Sequence, residues 1–92
     1  MEYSYPLDES WSKQEMIDVV NFFSLVEQAY EQGVKREDLM ITYTRFKQIV
    51  PSKSEEKQLF AKFEKDSGYS SYHTIQKAKE SQEGKKINMK TA

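Results

Sequence analysis

The sequence predicts an all-α fold: a small, irregular four-helix bundle with an extended aromatic strap at its N-terminus. Three observations carry this expectation. Only three Gly and two Pro occur in 92 residues, and nearly all sit where a helix should start or stop. Two S-x-x-E capping signatures, Ser12 with Glu15 and Ser52 with Glu55, stand ahead of apolar runs. No segment sustains a period-two alternation rich in β-branched residues, so a sheet is not expected.

The first helix is expected over about residues 13–32. In the Ser12–Glu15 box, the hydroxyl and the carboxylate each take up an orphan backbone N–H. Trp11 and Met16 occupy the positions of a hydrophobic staple. Gly33 ends the run as a residue free to turn left-handed. At about 100° per residue, Met16, Val19, Val20, Phe22, Phe23, Val26, Ala29 and Tyr30 cover far more than a half-buried stripe, and Leu25 widens the arc. Such a helix needs cover on several sides. Either it is central to its own bundle or it also buries a face in a second copy.

The second helix is expected over about 35–50, stopped by Pro51, because a residue before proline avoids the helical region. Leu39, Tyr43, Phe46, Ile49 and Val50 form its stripe, with Met40 and Ile41 off it. The third runs over about 53–66, from Ser52 to Gly68, with Leu59, Phe60 and Phe63 as a short apolar face. The fourth runs over about 71–82, capped by Ser70, with Tyr72, Ile75 and Ala78 inward. Residues 1–82 thus make one domain. The opening "YSYPLDESW" is expected to strap across the bundle, and residues 83–92 to be a flexible basic tail.

Composition narrows the function classes. Hydrophobic residues are 37% and charged residues 32%, a balance that approaches disorder. Five Phe, six Tyr and one Trp counter it, because large rings bury much area per residue. There is no cysteine, which removes disulfides and thiolate metal sites. No apolar run reaches the roughly 18–20 residues of a membrane span, and the acidic start does not read as a secretory signal. A cytoplasmic protein is expected. Charge is uneven: residues 1–34 hold one Lys against seven acids, and residues 35–92 hold thirteen Lys or Arg against eight acids. The two parts therefore carry −6 and +5, a split suited to an ionic partner or to self-association.

Little in the chain suggests catalysis. His73 is the only histidine. It falls on the side of Lys77 and Glu80, away from the apolar face, and is expected to meet water. A helical zinc site needs a second ligand three or four residues on, where Gln76 and Lys77 stand. Ser70 and Ser71 have a local use as helix caps. Asp18 and Glu27 fall at or inside the apolar arc of the first helix. They are expected in a structural ion pair with Arg45, or with Lys47. The unit formed by the third and fourth helices invites comparison with a DNA-reading helix-turn-helix. Polar Ser67 and Thr74 at anchoring positions, and Glu80 and Glu83 after Lys77 and Lys79, weaken it.

The strings "YSYPLDESW", "NFFSLVEQAYEQGV", "FKQIVPSKSEEKQLF" and "GYSSYHTIQKAKE" together resemble the uncharacterised family UPF0223, small proteins of Gram-positive bacteria. The likeness spans about residues 3–80. It implies a small, all-helical cytoplasmic protein and brings no activity and no site residues.

The function expected is a non-catalytic interaction module with no cofactor and no metal. Its partner is an unidentified protein or a second copy, met through a surface of Phe22, Phe23, Val26, Met40 and Ile41. The alternative is weak nucleic-acid binding through the third and fourth helices, whose affinity would fall steeply with salt.

Overall fold

In a computed structural model, which describes residues 5–90, four helices pack around a core of phenylalanine rings. The order is α1 (Lys13–Glu31), β1 (Val34–Lys35), α2 (Arg36–Ile49), α3 (Lys53–Ser67), α4 (Ser71–Glu80) and β2 (Lys86–Ile87). The Ser12–Glu15 capping box forms in full. The Glu15 N–H donates to Ser12 Oγ at 3.1 Å, and the Ser12 N–H donates to Glu15 Oε1 at 2.8 Å. At Ser52 only the serine half forms among the described residues, with the Glu55 N–H donating at 3.3 Å. Gly33 follows α1 at φ +97°, and Gly68 ends α3 at φ +83°. An L side chain at either position would cost about 1–2 kcal/mol of backbone strain.

Val19, Phe22, Phe23, Val26 and Ala29 of α1 are fully buried. Their spacing of three and four residues makes one inward stripe. Phe22 lies 4.9 Å from Phe46 of α2 and 5.9 Å from Phe60 of α3, ring centre to ring centre. Phe23 lies 4.6 Å from Phe63 of α3. These offset and tilted contacts let five phenylalanines form the centre of the core, which Val19, Val26, Leu39, Val50, Ile75 and Ile87 complete. The wide apolar arc of α1 is therefore covered within one chain.

The aromatic strap is present from Tyr5 onward; Tyr3 and Ser4 lie outside the described residues. Tyr5 stacks on Phe23 and Phe63, and its hydroxyl donates to Glu27. Pro6 is buried and Trp11 packs half-buried against the core.

Two expectations are corrected. Residues 83–90 are not a loose tail: β2 pairs antiparallel with β1, Val34 opposite Ile87 and Lys35 opposite Lys86. Ile87 is fully buried, and the Met89 N–H donates to the carbonyl of Ala29 at 2.7 Å. Burying one isoleucine stabilises by about 1.5–3 kcal/mol, and it acts together with the strand pairing and the Met89–Ala29 hydrogen bond to hold the segment against the bundle. Residues 91–92 of the expected tail lie outside the described residues. In α4 the inward face is Ser71, Thr74, Ile75 and Ala78, and Tyr72 is 59% exposed. The helix is turned so that small side chains meet the core and the tyrosine ring stays outside. Thr74 is accommodated because its hydroxyl donates to the Ser70 carbonyl one turn earlier, at 2.7 Å.

Candidate functional site

A groove of about 710 Å³ is bounded by α2, α3 and α4. From α3 it takes Lys53, Glu56, Lys57, Phe60, Ala61 and Glu64. This i, i+3, i+4, i+7, i+8, i+11 pattern is one continuous helix face. From α2 come Tyr43 and Lys47, and from α4 come Tyr72, Ile75, Gln76 and Lys79. Where α3 offers Ala61 and α4 offers Gln76, no large apolar side chain bridges the helices, and the space stays open. Its floor is apolar, with Phe60 and Ile75 nearly buried.

Four lysines and two glutamates line the groove. One lysine is already engaged: Lys47 Nζ lies 2.5 Å from Glu56 Oε1, while the Tyr43 hydroxyl donates to Glu56 Oε2 at 2.9 Å. Glu56 is thus matched by a charge and a hydrogen bond and adds little free negative field. Burial, with the hydrogen bond and charge of Glu56 behind it, pushes the Tyr43 hydroxyl far above the usual phenol range. In this structure the hydroxyl acts as the donor to Glu56. Lys79 Nζ lies 5.7 Å from the Tyr43 ring centre, within reach of a cation–π contact. Among the described residues no carboxylate pairs with Lys53, Lys57 or Lys79. The groove therefore combines an apolar bed with three lysines not matched by acids.

The residues expected at an interaction surface are placed differently. Phe22, Phe23 and Val26 are fully buried and unavailable to a partner. Their width on the helical wheel reflects cover by α2, α3 and the strap within the same chain. Met40 is half-buried against the core. Ile41 is 68% exposed and borders a shallow depression with Asp18, Asn21, Thr42 and Arg45.

Arg45 Nε donates to Asp18 Oδ2 at 2.7 Å. Hydrogen bonds from Arg45 and then Gln14 hold the Asp18 carboxyl below the usual carboxylate range. Glu27 takes no part in this pair: its partner is the Tyr5 hydroxyl, and Lys47 goes to Glu56 instead. Burial, then the charge of Glu31, pushes Glu27 upward.

His73 is exposed, and its Nδ1 lies 2.8 Å from Ser70 Oγ, which also accepts the His73 backbone N–H at 3.1 Å. The contact has the chemistry of a helix cap: among the described residues no carboxylate bonds to the ring, and neither the groove nor the depression beside Ile41 is lined by His73. Tyr69 turns away from it, stacking on Tyr30 and donating to Glu31. Among the described residues no group of three or more His, Asp or Glu could hold a metal ion, and no helix is long and apolar enough to cross a membrane.

Lys53, Glu56 and Lys57 carry no role in the sequence pattern, which assigns Tyr43 and Tyr72 to apolar helix faces and Lys79 to the weak nucleic-acid surface. The regular face of α3 was the available signal. What the pattern lacks is the position of α4, which decides whether that face is covered.

Comparison with known proteins follows this geometry. A family model described as "Uncharacterised protein family (UPF0223)" matches residues 2–87. A UPF0223 protein of Oceanobacillus iheyensis is 64% identical over 83 residues, 90% of this chain and 94% of its own length. One from Bacillus mycoides is 56% identical over 89 residues, 97% of this chain and all of the relative. One from Staphylococcus aureus is 53% identical over 90 residues, 98% of this chain and 99% of the relative.

Proposed function

The chain belongs to the UPF0223 family, and we propose that it works as a non-catalytic, cytoplasmic protein–protein docking module. Its groove between α2, α3 and α4 takes an acidic, amphipathic segment of a partner. The observation that supports this most is the pairing of an apolar floor, Phe60 and Ile75, with Lys53, Lys57 and Lys79 at its margins. An amphipathic helix or turn laid there buries its apolar side on the floor and sets carboxylates against the lysines. The exposed ring of Tyr72 supplies a rigid anchor of the type enriched at interfaces. The lysines mainly speed encounter and select against basic partners, while the apolar contact supplies most of the affinity.

Nucleic-acid binding through α3 and α4 is the second reading. The same lysines could meet phosphates, and Tyr72 could stack on an unpaired base. The apolar floor of Phe60 and Ile75 suits an apolar side chain and offers nothing to a phosphate backbone, and this favours the peptide.

A displayed library of short random peptides, panned on the whole protein, tests the proposal. Enrichment of sequences that combine Leu, Ile or Phe with Asp and Glu, lost on Lys53→Glu/Lys57→Glu, is the expected result. No enrichment, or enrichment that survives the double substitution, contradicts it. A mixed oligonucleotide pool retained at low salt in place of peptides favours the second reading.

A further inference from the structure

The acidic, amphipathic segment that the groove calls for is carried by this chain. Leu7 is 46% exposed, and Asp8 and Glu9 beside it are exposed. They sit in a turn closed by the Trp11 N–H donating to the Asp8 carbonyl at 3.1 Å and the Ser10 N–H donating to Asp8 Oδ1 at 2.8 Å. The turn is fixed at both ends. Before it, Pro6 is buried and Tyr5 stacks on Phe23 and Phe63; after it, Trp11 packs against the core and Ser12 caps α1. A leucine and two carboxylates are therefore held out from the body in an ordered loop, so little conformational freedom is lost on binding.

Resting on the docking reading above, we propose that Leu7, Asp8 and Glu9 of one copy seat in the α2–α3–α4 groove of a second copy. Leu7 meets the floor of Phe60 and Ile75. The two carboxylates meet Lys53, Lys57 and Lys79. The two surfaces are opposite in sign, two exposed carboxylates against three lysines that pair with no acid among the described residues, so head and groove attract each other. The contact is heterologous, head of one copy to groove of the next, so an open assembly keeps one free groove at one end and one free head at the other unless a ring closes. One apolar side chain and a few screened charges make a weak, reversible contact well below the size of a permanent interface.

Heterologous contacts permit a discriminating experiment. Asp8→Asn/Glu9→Gln removes the charge of the head, creates no charge that a Glu-substituted groove could attract, and keeps the groove. Lys53→Glu/Lys57→Glu removes the groove and keeps the head. By sedimentation equilibrium at low salt, the wild-type weight-average mass is expected to climb from 10.9 kDa as concentration rises toward about 1 mM. It should return toward the monomer in about 1 M salt, where screening reaches about 3 Å. Each double variant alone should stay monomeric. Mixed in equal amounts, they should form a pair of twice the monomer mass and nothing larger, because one intact head and one intact groove remain. A wild type that stays monomeric throughout, or a mixture that does not pair, overturns the proposal. Circular dichroism of both variants checks that the fold is kept. If the wild type stays monomeric while its groove still selects acidic peptides, self-docking fails and the docking module stands; if peptide selection fails as well, both fall.

Discussion

Replacing Phe22 with Ala tests the central packing statement. The side chain is fully buried, with the rings of Phe23, Tyr43, Phe46 and Phe60 centred 5.3, 5.7, 4.9 and 5.9 Å away. Buried Phe→Ala substitutions cost about 3–5 kcal/mol, because lost transfer energy and a residual cavity add. Four surrounding aromatic rings limit how far the site can collapse, so a value near 4 kcal/mol is expected. A domain of this size has roughly 5–14 kcal/mol in all, so the substitution removes a large share of its stability. At about 4–8 °C per kcal/mol, Tm should fall by roughly 15–30 °C. Urea unfolding followed by circular dichroism, with wild type and variant at the same protein concentration, gives the difference directly. A loss below about 1 kcal/mol would refute the reasoning. It would mean that the Phe22 side of α1 is not enclosed within a single chain.

Two other consequences can be measured on the same instruments. Ile87→Ala should cost about 2–5 kcal/mol and speed amide exchange at Met89, whose N–H is bonded to Ala29. An unchanged stability would return residues 83–90 to the status of a tail. Asp18→Asn should lower stability at pH 7 by about 0.5–1 kcal/mol, since the pair with Arg45 is partly exposed and screened. The folded carboxyl sits below its unfolded value of about 3.9. Its contribution is therefore present above that value and is lost as pH falls through the folded one. The difference between wild type and variant should begin to narrow as pH falls below about 4; a gap that does not shrink with falling pH contradicts this assignment.

The helix ends were legible because their signals are local. Ser12, Ser52 and Ser70 cap, Gly33 and Gly68 turn left-handed, and all act within a few residues of themselves. What was misread depends on neighbours distant in sequence. The wheel of α1 leaves open whether Phe22, Phe23 and Val26 face their own core or a second copy, since it does not reveal that α3 and the Tyr5 strap share the task of covering them. Tyr72 looked inward by size and hydrophobicity. Small Ser71, Thr74 and Ala78 instead let α4 approach closely and leave the ring outside. Ile87 belongs to a two-residue strand, too short for a period-two pattern to register. The groove has the same history: the Lys53–Glu64 face of α3 is regular in the sequence, but its openness is set by where α4 crosses.

A nitrogen–proton correlation titration of the labelled protein tests the functional account most directly. The probe is a short helix-forming peptide with leucines at i, i+3 and i+4 flanked by glutamates. The account predicts saturable shifts at Tyr43, Lys47, Lys53, Lys57, Ala61, Tyr72 and Lys79, weakening with salt and absent for the lysine-substituted peptide. Shifts centred on Ile41 and Asn21 at the other depression, or no saturable shift at all, would contradict it.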